Sequence, residues 1–370
     1  MKNEWIYEKL DDVCSVDYGT RVVQKKDKGS KYYVYGGGGA TFMVDTYNRE
    51  DCFVVARFAM SPKCTRFVSG KFFLNDSGLS VSTKSTKLLQ SFVNKVLLAN
   101  NDTIYNMGKG MAQKNLDMPS FRNLDIPVPP LQEQERIVAE LDLLTEIIDK
   151  QKQQLKELDT LAKSIFYDMF GNPVDNEKGW KTCRLESIIQ VKGRVGWKGY
   201  KKEDLRDSGA LAIGGGHLTN SGEIDLSEPV YLSMEKYEES PEIMIETGDL
   251  ILVQRGTIGK VGLVRTDIGQ ATINPCVLIL RPKTINNVYA LHFFLNSNMQ
   301  EHLKTLIRGV AQPMITQQQV NSLCVPIPPS EQQEVFAQRV QAIESQKQSI
   351  NRSIAESQKL FDYTMDKYFG

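Results

Sequence analysis

The sequence predicts an α+β protein built as an internal repeat. Two similar globular α/β domains are joined by two long helices that form an antiparallel coiled coil with pseudo-two-fold symmetry. Three observations carry that expectation. Ile126-Pro-Val-Pro-Pro130 returns 199 residues later as Val325-Pro-Ile-Pro-Pro329. Each copy opens a polar stretch dotted with apolar residues, and these stretches close at Phe170-Gly171 and Phe369-Gly370, again 199 apart. Upstream, Gly110-Met-Ala-Gln113 matches Gly309-Val-Ala-Gln312 at the same offset. Solenoid repeats run to about 20–50 residues, so this repeat unit is a whole domain with its helix. The predicted boundaries are a first globule at 1–125, a first helix region at 126–171, a second globule at 172–324 and a second helix region at 325–370.

In chain order, the first globule shows short β-type runs, Cys52–Ala56 and Lys71–Leu74, broken by glycine-rich turns such as Gly36–Gly39. In the first helix, apolar residues fall at Ile137, Leu141, Leu144 and Ile148, then at Leu155, Leu158, Ala162, Ile165 and Met169. Alternating steps of three and four make this a heptad seam, interrupted at Gln151. The proline pair before it and Gly171 after it are start and stop signals. The second globule repeats the scheme more faintly. Trp5…Leu10 resembles Trp180…Leu185, Gly36–Gly39 resembles Gly214–Gly216, and Val55-Ala-Arg57 resembles Val253-Gln-Arg255, with further β runs at Asp249–Val253 and Cys276–Leu280. The second helix carries Phe336, Val340, Ile343, Ile350, Ile354, Phe361, Thr364 or Met365, and Tyr368 in the register of the first, interrupted by Lys347 and Ser357. Helices near 131–170 and 330–369 would each be on the order of 60 Å long at ~1.5 Å per residue. Neither could bury its seam alone.

The 370 residues allow two to four domains at about 100–200 residues each. No apolar run approaches the roughly 18 residues of a membrane span, and the N-terminus does not read as a signal peptide. The six cysteines show no C-x-x-C spacing, which fits reduced thiols and a cytoplasmic location. Net charge is zero but segregated: residues 1–125 carry 18 Lys/Arg against 13 Asp/Glu, whereas 203–249 carry 2 against 12. Such a chain can offer basic surfaces to a polyanion.

Catalytic tools are missing from the pattern. Gly256-Thr-Ile-Gly259-Lys260 lacks the spacing and the hydroxyl of a phosphate-binding loop. Asn172-Pro-Val-Asp175 and Asn274-Pro-Cys-Val277 lack the aromatic residue that would stack on a flipped base. No Glu-x-Lys occurs, and the three histidines have no metal-ligand spacing. The chain reads as a non-enzyme with no cofactor or metal of its own.

The duplicated Gly-x-Ala-Gln … [IV]-Pro-[VI]-Pro-Pro-x-x-[EQ]-Gln-Glu pattern, the long heptad helix and the second domain-sized copy together resemble the specificity (S) subunits of Type I restriction–modification systems. Gly248-Asp-Leu-Ile-Leu-Val-Gln-Arg255-Gly256 also fits that family's strand-and-loop pattern. The first globule departs from it, with Arg57-Phe-Ala-Met-Ser-Pro62 where a glycine-rich turn is expected. The resemblance implies that each globule is a target recognition domain reading one half of a split double-stranded DNA site. It also implies methyltransferase (M) subunits, two of them, docked on the assembly, restriction (R) subunits joining through M, and S-adenosylmethionine held by M. A structural adaptor tethering two protein-binding domains is the alternative reading.

Reading base edges calls for Arg, Lys, Asn or Gln on loops, with Lys and Arg also on phosphates. In the first globule the candidates are Lys25, Lys26, Lys31, Arg57, Lys63, Arg66, Lys71 and Gln113. In the second they are Arg194, Trp197, Lys198, Lys201, Lys202, Arg255, Lys260, Arg265 and Gln312. Arg57 and Arg255 form the sharpest pair, each following a β run at matching places; a scaffold ion pair is the competing role. Gln113 and Gln312 are read equally as DNA-proximal or as parts of a structural turn. Tyr32, Tyr33 and Tyr35 are read as core.

Overall fold

A computed structural model describes residues 5–111, 113–194, 199–309 and 312–370. The chain divides into two compact units, Met1–Lys152 with Arg352–Gly370, and Gln153–Asn351. Each unit therefore takes one half of each long helix. Those helices, Leu131–Phe170 and Ser330–Phe369, begin directly after the two proline pairs. Gly171, at φ +73°, stops the first in a conformation that side chains disfavour.

In the first unit, strands β1 (Ile6–Lys9), β2 (Cys14–Tyr18), β3 (Tyr32–Gly36), β4 (Gly39–Val44), β5 (Arg49–Ala56), β6 (Thr65–Leu74) and β7 (Gly78–Thr83) come first. The six from β2 to β7 form one sheet in the order β2-β7-β5-β6-β3-β4. A small hairpin follows, β8 (Gly108–Lys109) with β9 (Asn115–Leu116), and then β10 (Asp125–Val128), which pairs antiparallel with β1. Phe53, Val55, Leu79 and Val81 from the sheet pack with Phe92, Val93, Val96 and Leu97 of helix Gln90–Ala99. The same core takes in Ile137 and Leu141 from the first long helix and Met365 and Tyr368 from the second.

The second unit repeats the plan. β11 (Lys181–Arg184) precedes β12 (Ile189–Gly193), β13 (Leu205–Arg206), β14 (Ala210–Ile213), β15 (Tyr231–Leu232), β16 (Leu250–Val253), β17 (Val261–Leu263), β18 (Ala271–Ile273) and β19 (Val277–Pro282). β20 (Cys324–Ile327) returns to pair with β11, as β10 does with β1. The order β12-β19-β16-β17 mirrors β2-β7-β5-β6, and β14 runs parallel to β18 as β3 does to β6. The second unit adds an edge strand, β13 beside β15, and interrupts another strand. Where β6 is continuous over ten residues, its counterpart is cut at residues 264–270, so one sheet becomes two. Phe166 and Phe170 of the first long helix and Phe336 and Val340 of the second close the larger core of this unit.

In each unit an early stretch of one helix packs against a late stretch of the other, so the paired stretches run antiparallel. The seam is tight at its outer parts, with Leu144, Ile148, Ala162 and Ile343 buried. At its middle it loosens, and Leu155, Leu158, Ile350 and Ile354 are half-exposed. Two buried glutamines fix the helix starts. Gln134 donates to the Pro129 carbonyl (2.7 Å) and the Lys87 carbonyl (2.7 Å), and accepts from the Leu89 N–H (2.8 Å). Its repeat mate Gln333 donates to the Pro328 carbonyl (2.8 Å) and accepts from the Asn286 N–H (2.9 Å). Each one hydrogen-bonds a globule's backbone to the first turn of a long helix.

Candidate nucleic-acid interface

The end of β5 is where four loops of the first globule meet. The Arg57 N–H donates to the Ser77 carbonyl (2.8 Å), and the Arg57 carbonyl accepts from Leu116 (2.8 Å) in the small hairpin. Met60 N–H donates to the Lys114 carbonyl (3.0 Å), so residues 57–60 are stitched to that hairpin on both sides. The glycine turn after β3 lies against them, since a Cβ on Gly37 would stand 2.3 Å from the Phe58 carbonyl oxygen. The 57–62 segment, which departs from the glycine-rich pattern, spans a left-handed position all the same: Ala59 takes φ +48°. Its counterparts Gly256 and Gly259, at +83° and +90°, do so without a side chain to crowd the backbone.

The second globule ties the same knot. Gln254 and Arg255 donate to the Cys276 carbonyl (2.9 and 3.2 Å), and Ile315 donates to the Gln254 carbonyl (3.0 Å). Arg308 and Met314 pair as a hairpin through reciprocal bonds of 3.0 and 2.9 Å. A Cβ on Gly214 would meet the Asn274 amide at 2.3 Å.

Gly110 with Gln113, and Gly309 with Gln312, stand at the ends of these hairpins. Gly110 and Gly309 sit at φ +120° and +91°, and a Cβ on either would strike the carbonyl of Gln113 (2.3 Å) or Gln312 (2.8 Å). The turn role of the motif is thus structural, and it leaves the Gln113 and Gln312 side chains exposed beside the arginine-bearing segments. Arg57 lies over two aromatic faces, its guanidinium carbon 4.7 Å from the Tyr18 ring centre and 4.2 Å from that of Phe58. Stacking of this kind orients a guanidinium without using up its donors. Arg255 is exposed.

The other candidates scatter. Lys63 is exposed near Arg57, whereas Arg66 spends one nitrogen on the carbonyls of Gly37 (3.2 Å) and Lys63 (2.7 Å), bracing the loops. Lys25, Lys26 and Lys31 are exposed on the connection between β2 and β3. Lys71 lies across from Glu50 at the start of β5, away from the strand end that leads to Arg57, with its ammonium over the Tyr47 ring. In the second globule Lys201, Lys202 and Arg265 are exposed, and Lys260 is half-buried with its ammonium at the Leu218 carbonyl (3.4 Å). Arg194 does not face outward. It is 7% exposed, donates to the Ile273 carbonyl (2.9 Å) and the Thr272 hydroxyl (3.0 Å), and burial holds its basicity down. It is a buried brace of β18, a correction to its reading as a DNA contact. Trp197 and Lys198 lie outside the described residues. Tyr33, read as core, is 51% exposed, because alternation along β3 turns it outward while Val34 goes in. Tyr18 and Phe58, which carry Arg57, escaped the sequence reading; Phe58 adjoins Arg57 in sequence, but nothing local ties Tyr18 to it.

Among the described residues no cluster of His, Cys, Asp and Glu could hold a metal ion, and no helix is long and apolar enough to cross a membrane.

A family model described as the Type I restriction modification DNA specificity domain matches residues 2–160 and 177–357. The MjaVIII Type I specificity subunit of Methanocaldococcus jannaschii is 22% identical over 309 residues, covering 75% of this chain and 70% of that protein. The EcoBI specificity subunit of Escherichia coli is 24% identical over 290 residues, covering 69% and 60%. The crystal structure of a Type I system S subunit from M. genitalium shares the fold with a TM-score of 0.56 at 15% identity, covering 99% of this chain and 96% of that one.

Proposed function

Because the chain belongs to the family of Type I restriction–modification specificity subunits, the non-catalytic DNA-recognition components of those systems, we propose that it reads a bipartite, asymmetric DNA site, one half with each globule. Two M subunits dock on it, supply S-adenosylmethionine chemistry, and bring R subunits into the complex. The observation that carries this reading is the loop knot built twice on matching backbone bonds, with an arginine within two residues of the strand end and a glutamine beside the hairpin tip each time. One backbone scaffold with unlike loops suits one task performed on two unlike targets. Lys and Arg on the surrounding loops would meet phosphates, so binding should weaken steeply with salt.

The test is co-expression with the host's M subunits followed by methylation mapping. Two unlike half-sites around an unread spacer are expected. Arg57→Ala should relax one half-site and Arg255→Ala the other, by about 1–3 kcal/mol each for a base contact. A continuous methylated site would overturn the bipartite reading. Failure of M to co-purify, with no duplex binding, would favour the adaptor.

A further inference from the structure

The apolar seam positions recur between the two long helices, but the polar contacts within the seam do not. Lys347 occupies a seam position and is 7% exposed. Its ammonium lies 2.9 Å from Asp159 on the first helix, 3.2 Å from Glu344 one turn back on its own helix, and 3.8 Å from Glu223 on a loop of the second globule. Burial alone would lower its basicity, but the hydrogen bond to Asp159 and the three carboxylates outweigh it, and the net shift is upward, so the group stays charged. The repeat mates of Lys347 and Asp159, at the 199-residue offset, are Ile148 and Gln358. The ion cluster therefore exists once, on one side of the pseudo-two-fold.

A heptad seam by itself tolerates sliding, because apolar residues recur every three or four positions. Sliding the first helix past Lys347 by one heptad would replace Asp159 with Lys152 or Phe166. Smaller seam-preserving steps of three or four residues bring in Lys156, Leu155, Ala162 or Lys163. Each alternative sets the buried ammonium against another ammonium or an apolar side chain, a costly arrangement in a desolvated place. A second polar contact lies in the first unit, where the Gln151 amide donates to the Ser353 hydroxyl (2.7 Å). Its mates, Ile350 and Gln154, do not reproduce it.

We propose that Lys347, through Asp159, Glu344 and Glu223, is a positioning residue that locks the register of the helix pair and thereby fixes the spacer length between the two half-sites. The proposal rests on the bipartite reading above. A slip of three or four residues moves one helix about 4.5–6 Å, between one and two base pairs at about 3.4 Å each.

The test uses the full chain assembled with its M subunits and compares methylation of the native site with sites whose spacer is one to three base pairs longer or shorter. The parent should discriminate sharply. Lys347→Met, which replaces the charge with an apolar chain of similar length, should fold, keep its melting temperature within a few degrees, and lose at least tenfold of that discrimination. Lys347→Arg, which can keep the carboxylate partners, should retain it. If Lys347→Met discriminates spacers as the parent does, the register lock is overturned, whatever its stability. If Lys347→Met fails to fold, Asp159→Asn, at a half-exposed position, must show the loss instead, and unchanged discrimination there overturns the lock equally. A parent that methylates no split site would overturn the bipartite reading, and the lock's role in spacing with it.

Discussion

His292 shows how far a single residue's chemistry depends on its surroundings. Its ring packs between Phe166 and Phe336, and burial drives its pKa from 6.5 to about 3, with the charges of Arg265, Lys347 and Lys163 adding to the effect. The folded pKa lies below the unfolded one. The unfolded chain therefore binds a proton between pH 6.5 and 3 that the folded chain refuses, and stability is lost as pH falls through that window. At pH 5 the loss from this one group is about 2 kcal/mol. His292→Gln should flatten the pH dependence of the melting temperature between pH 7 and 5 relative to the parent; equal slopes would contradict the assignment. None of this was legible in the sequence, where His292 was one of three histidines without metal spacing. Arg57 and Arg255 were legible as arginines just past a β run, but they are not equivalent positions: strand pairing sets Arg57 against Gln254, and Arg255 stands one place further on. Arg194 was not legible, since its burial depends on β18, nearly 80 residues away. Residue type announces possible chemistry, whereas long-range packing decides which of it is available.

At the scale of elements, both long helices were readable almost to the residue, because a heptad seam bounded by proline pairs and a glycine leaves few alternatives. The strands beside them were found only in part: the run at Lys71–Leu74 is the tail of a ten-residue strand, and the division of the second globule's sheet has no local signature. The duplicated glutamines of the helix starts were visible as a motif, but their roles were not, because their partners near Lys87 and Asn286 lie 47 residues away. The seam makes a direct prediction. Leu144→Asp together with Ile343→Asp places a carboxylate at each of two buried repeat-mate positions, and should destabilise the isolated chain by several kcal/mol. Leu143→Asp, one position away and 58% exposed, should stay within about 0.5 kcal/mol of the parent. Denaturant melts of the two variants decide the matter, and similar midpoints would remove the paired-helix account.

At the scale of the whole molecule, the repeat says that the chain is one globule-plus-helix unit written twice and then differentiated. The two copies differ in their loops and in the polar contacts of the seam. A fragment of residues 1–171 carries one complete unit, with the outer seam positions Ile137, Leu141, Leu144, Ile148 and Ala162 intact. Without the second helix it exposes that seam, so two copies should pair antiparallel about a true two-fold axis. In such a pair, Ile148 of one copy stands where Lys347 stands in the native chain, opposite Asp159 of the other, and Gln151 meets Gln154 rather than Ser353. The apolar seam is kept and the ion cluster is lost. The fragment is therefore expected to dimerise, with affinity set by the seam and with a less sharply held register. With M subunits present, two-fold symmetry dictates the same half-site twice in inverted orientation, and loss of the cluster should broaden the tolerated spacers. Light scattering and methylation mapping on the fragment test both parts. A fragment still monomeric at high micromolar concentration, or a mapped site that is not palindromic, would contradict the duplicated-unit account. A palindromic site read with one sharply fixed spacer would show instead that the seam holds register without Lys347.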